Sequence, residues 1–163
     1  MFVIMMLTVS MLPARSLELF DIPYSDGNIL WPEVGRDAFD IDRGEFELEG
    51  PDERWFDIEL EGREKHRHFG SSESFLKREM NAILKDERKD AEEDGAIMEA
   101  LLSVSDSRHY HLVLEFADRF GVYYRSFIGL LLDNGAYYEF EAEYLEEDAI
   151  TVEKIEESIL SLQ

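Results

Sequence analysis

Alternation with period two marks two neighbouring acidic segments as strands. Glu45-Phe46-Glu47-Leu48-Glu49 sends its apolar and charged side chains to opposite sides, and Phe56-Asp57-Ile58-Glu59-Leu60-Glu61 does the same. Gly50-Pro51-Asp52 between them is turn chemistry, so the two read as an antiparallel pair with one wet face. The spacing turns helical over residues 71–90. Leu76, Met80, Ile83 and Leu84 form one apolar stripe, Ser71 or Ser72 supplies the N-cap, and the run Asp90 to Gly95 ends the helix. A meander follows over residues 96–144, in four runs: Ala96–Val104, His109–Phe116, Val122–Leu132 and Ala136–Tyr144. Ser105-Asp106-Ser107, Asp118 to Gly121 and Asp133-Asn134-Gly135 are its turns. Ile150–Leu162 closes the chain as a helix with Val152, Ile155, Ile159 and Leu162 on one face. Residues 17–32 read as a strand or two, broken at Asp26-Gly27-Asn28 and stopped by Pro32. The expected class is α+β: an antiparallel β-sheet (hairpin plus four-strand meander) packed on one side by two helices.

The 163 residues suit a single domain over 17–163, preceded by an apolar segment over 1–16. Met1–Pro13 is uncharged and shorter than the roughly 20 residues that span a bilayer. It reads as a signal-peptide core ending at Ala14-Arg15-Ser16, as an extra strand, or as the product of a start placed too far upstream. The expected location is cytoplasmic, or periplasmic if residues 1–16 are a signal peptide.

Charge changes the picture most. The chain carries 38 Asp and Glu against 16 Lys and Arg, a net charge of −22. That sign disfavours phosphate-mediated nucleic-acid binding and attraction to an anionic membrane surface. The 45% hydrophobic content supports a packed core despite the self-repulsion. With no cysteine, disulfides and thiolate metal sites are excluded.

The acids are patterned. Glu45, Glu47 and Glu49 share one strand face, and Asp57, Glu59 and Glu61 share the next. Glu139, Glu141 and Glu143 repeat the pattern on the last strand, opposite Tyr138, Phe140, Ala142 and Tyr144. Like charges opposed in a sheet cost a few tenths of a kcal/mol or more per pair. A mixed Lys/Glu face gives the same solubility more cheaply. Nine carboxylates without an interleaved base therefore point to a docking face for a basic partner. Tyr123/Tyr124 and Tyr137/Tyr138 each place one ring on either side of a strand, and Tyr137 is the expected aromatic contact of that face.

All four histidines fall in His-x-His pairs, His66/His68 and His109/His111. On adjacent strands they would converge on a cation, although Lys65 and Arg67 flank the first pair. Exposed strand histidines are the plainer reading, and no metal ligand or cofactor is assigned. The chain has no G-x-S-x-G elbow and no glycine-rich phosphate loop. It is read as a non-enzyme.

The layout of SFLKREMNAILK, IMEALLSVSDSRHYHLVLEF, VYYRSFIGLLLDNGAYYEFEAEY and TVEKIEESILSL over the last 90 or so residues resembles the PsbP/DcrB-like α+β fold. That resemblance implies service in bacterial secretion systems, as an immunity protein or an effector chaperone. The expected function is an immunity protein that binds and inhibits a cognate basic toxin through the acidic sheet face. The alternatives are a cytoplasmic secretion chaperone or adaptor for an effector, and a metal-binding protein or enzyme using the His-x-His pairs. The expected partner is a cognate toxin or effector protein, with neither nucleic acid nor membrane involved.

Overall fold

The computed structural model describes residues 15–32, 39–42, 44–50 and 56–163. The apolar run Met1–Pro13 and most of the turn expected at Gly50-Pro51-Asp52 lie outside them. β1 (Leu17–Asp21) and β2 (Asn28–Pro32) form a separate two-stranded hairpin. β3 (Phe39–Asp42), β4 (Glu45–Glu49) and β5 (Phe56–Arg63) follow, then α1 (Ser72–Asp94). The meander is β6 (Ile97–Ser105), β7 (His109–Ala117), β8 (Val122–Leu131) and β9 (Tyr137–Tyr144). A short 3-10 turn (Glu146–Asp148) leads into α2 (Ala149–Leu160).

Among the described residues the main sheet has seven antiparallel strands in the order β3-β4-β5-β9-β8-β7-β6. The last strand therefore inserts beside β5 and joins the acidic hairpin to the meander. The α+β class, the hairpin, the meander and the two helices are as the sequence pattern predicts. β3 is an addition to it.

Each helix covers one side of the sheet, and alternation decides which. Tyr138, Phe140, Ala142 and Tyr144 of β9 join Ile58 and Leu60 of β5 and Val152, Ile155 and Ile159 of α2 in one core. The β1–β2 hairpin seals that core with Ile29 and Trp31; the Trp31 ring meets Phe140 edge-on at 6.1 Å. Tyr137, one residue before Tyr138, faces the other way. It packs with Phe75, Leu76 and Met80 of α1 and with Tyr110, Leu112 and Leu114 of β7. The expected placement of both helices is thereby refined: α2 lies on the face of even-numbered β9 residues and α1 on the face of odd-numbered ones.

Local chemistry sets the ends of α1. Ser71 is its N-cap, accepting from the Ser74 amide at 3.2 Å. Gly95 closes it in the left-handed region (φ 71°), where a side chain would be strained. The helix thus runs through Asp90–Asp94, which the sequence pattern treats as its ending run. None of the described helices is long and apolar enough to cross a membrane.

Candidate functional site: an acid-lined groove beside the first helix

Register brings the three acidic rows together. Glu47 stands opposite Glu61, and Glu61 opposite Glu139. Glu49 stands opposite Glu59, and Glu59 opposite Glu141. Asp57 faces Glu143, and Glu45 faces Arg63. All nine expected carboxylates therefore share the face of odd-numbered β9 residues, the face on which α1 lies. α1 covers only the β6–β8 end of that face and stops short of β4 and β5.

A groove of about 360 Å³ opens where α1 ends its cover. Glu59, Glu61, Glu139 and Glu141 of the sheet and Asp86 and Glu87 of α1 line it. Its floor is apolar, with Ile83 and Phe127. Partial burial pushes the Glu59 carboxyl up to about 7, helped by the charges of Glu47, Glu61 and Glu141. Burial also raises Glu139 and Glu141, against the opposing pull of Arg63 on the first and Arg125 on the second. The groove thus holds carboxyl groups short of compensating positive charge.

Two arginines mark its corners. Arg63 lies 3.8 Å from each of Glu45, Glu61 and Glu139, too far for more than loose pairing. Arg125 is tighter. It reaches Glu143 at 2.7 Å and Glu87 at 3.0 Å, which ties α1 to the sheet. Ending the alternation at Glu61 missed Arg63, which continues the run of residues 57, 59 and 61 and puts a base on the acidic face. The inward turn of Glu87 was not legible, because it sits one turn past the apolar stripe and acquires its role from Arg125 on another element.

Tyr137 is corrected. It is 2% exposed, beneath Phe75 (5.4 Å between ring centres) and His66 (4.8 Å). Tyr138 is fully buried and donates from its hydroxyl to the Pro23 carbonyl at 2.6 Å. Both rings are covered because each sheet face has its own helix. Tyr123 and Tyr124 are half-buried and stack on Phe116 and Tyr144.

The His-x-His pairs do not meet. His66 and His68 follow β5 rather than lying on a strand, and they stack beside Phe75 at the start of α1. His111 faces α2, with Nε2 3.4 Å from the Glu156 carboxylate. His109 is paired with Asp106 at 3.3 Å. Among the described residues no group of three or more His, Asp or Glu side chains is disposed to hold a metal ion.

No protein-family model matches the sequence, and no curated protein matches it. Among solved structures, the fold is similar to the Saccharomyces cerevisiae Ran-binding protein Mog1p. The TM-score is 0.52, with 92% of this chain and 96% of that chain covered, at 8% identity. The likeness is one of fold alone. It corrects the resemblance drawn from sequence layout: this neighbour is a yeast Ran-binding protein, not a PsbP/DcrB-like bacterial immunity protein or effector chaperone.

Proposed function

We propose that this chain is a protein-binding module, without catalytic activity of its own, that docks a basic surface of a partner protein on the acidic face of β4, β5 and β9. The observation that carries this reading is the groove in which Glu59 and Glu141 face each other above an apolar floor. A lysine or arginine stem fits such a site, with its methylenes on Phe127 and Ile83 and its charge among the carboxylates. The fold-level neighbour is itself a protein-binding protein by name, which agrees with this class of role. A toxin with a cationic, phosphate-binding cleft is a partner of the right chemistry. Carboxylates seated in that cleft would stand in for phosphates and inhibit it.

Capture from native cell lysate tests the proposal, using the tagged protein and a Glu47→Gln/Glu59→Gln/Glu141→Gln variant in parallel. The expected result is a basic polypeptide held by the parent at low salt, weakened as salt rises, and lost from the variant. Equal capture by both proteins would refute the acidic face as the docking surface.

A further inference from the structure

The opposite sheet face carries a second, apolar groove. α2 packs against β2, β8 and β9, reaches β7 at His111, and leaves Leu102, Val104 and Val113 partly exposed beside it. A cavity of about 380 Å³ lies in the step between α2 and strands β6 and β7. Leu102, Val113, Tyr144, Ala149 and Leu160 give it an apolar lining. The strip continues outward over Val104, which is 44% exposed. Beneath α2 the buried Ser126 hydroxyl donates to the Glu156 carboxylate. The buried Nε2 of His111 sits beside that carboxylate without making a hydrogen bond. Glu153 and Glu157 line the cavity from α2, and the directly opposed pair Glu99 and Glu115 lies further along β6 and β7.

Size and charge together select an occupant. β6 and β7 run about 4.8 Å apart beside α2, so the partly exposed strip is close to the width of one α-helix. A helix laid there would run beside α2, and neighbouring helices ordinarily pack about 8–10 Å apart. Its inward side must be apolar to match Leu102, Val104 and Val113. Its flanks must be basic to match the carboxylates of α2 and of the β6–β7 end. We infer that the groove between α2 and the partly exposed face of β6 and β7 receives an amphipathic, basic helix from a partner protein. The contact takes the form of a helix in a groove. It lies on the face opposite the acidic groove and does not depend on that groove's role.

The test uses the full-length protein and a fluorescent Leu/Lys amphipathic peptide of about 20 residues, the helical length that matches a nine-residue strand. A scrambled peptide of the same composition is the control. Anisotropy is expected to give micromolar binding for the amphipathic peptide and at least tenfold weaker binding for the scrambled one. All proteins carry Glu59→Gln/Glu141→Gln, which removes the cation site of the other face; in that background Leu102→Asp and the surface pair Glu153→Lys/Glu157→Lys should each weaken binding about tenfold. Circular dichroism checks that each variant is folded, and the surface pair keeps the test open if Leu102→Asp is not. No binding, equal binding of the scrambled peptide, or binding unchanged by both Leu102→Asp and Glu153→Lys/Glu157→Lys would overturn the inference. So would a concentration-dependent dimer abolished by Leu102→Asp, which would assign the groove to a second copy of the chain.

Discussion

Glu59 and Glu141 stand directly opposite each other on β5 and β9, and the Glu47 carboxylate of β4 adds its charge beside Glu59. In the folded chain, burial and these neighbours lift Glu59 from its ordinary 4.5 to about 7. A raised carboxyl binds its proton more tightly in the folded than in the unfolded state. Its contribution therefore favours folding at low pH, fades as pH rises from about 4.5 to about 7, and is unfavourable above that. Glu139 and Glu141 act in the same direction. The melting temperature of the parent should fall between pH 5 and pH 8 more than that of Glu59→Gln. Parallel curves for the two proteins would show that Glu59 titrates normally.

Partner charge is linked to the same proton. A cation seated among the groove carboxylates pulls Glu59 back down, so binding a short oligolysine peptide near neutral pH should release protons. Calorimetry in two buffers of different ionisation enthalpy reads that number directly. Affinity should rise from pH 6 to pH 8 in the parent and be nearly flat in Glu59→Gln.

Arg125 bridges Glu143 and Glu87, on two different elements, with its side chain 30% exposed. Arg125→Met leaves two partly buried carboxylates without their cation. The expected loss is about 1–3 kcal/mol, below the range for fully buried pairs because water reaches this one. Urea denaturation monitored on α1 helicity measures it. A change within about 0.5 kcal/mol would show the bridge to be dispensable.

Gly62 lies on β5 with the Phe46 ring folded over it, so a Cβ placed there would stand 1.9 Å from that ring. Gly129 under Tyr110 repeats the device on the other face, at 2.1 Å. Gly62→Ala should cost about 1–3 kcal/mol by overpacking. Adding Phe46→Leu should recover part of the loss, which a double-mutant cycle would quantify.

Local pattern carried much of this fold. Alternation placed Glu47, Glu59 and Glu141 on the polar sides of their strands, and helical spacing found Leu76, Met80 and Ile83. What local pattern does not contain is which distant strand lies beside which. The approach of Glu59 to Glu141 depends on β9 entering next to β5, a pairing between segments far apart in the chain. The division of the helices between the faces is non-local too. It is why Tyr137 is buried although alternation leaves it free, and why His66 and His111 lie on opposite sides of the sheet. Residues such as Glu87 and Arg125 take their roles from partners on other elements, so no window of sequence around either one shows them.

The position of β9 also makes the order of synthesis matter. As the chain leaves the ribosome, β5 emerges long before β9, the strand that completes its ladder and joins it to β8. The nascent hairpin of β4 and β5 must wait with an open edge, the arrangement most prone to pairing with a neighbouring chain. Its rows of like charge repel a second copy of themselves during that interval. The same carboxylates that are costly to assemble in the finished sheet would thus protect the unfinished one.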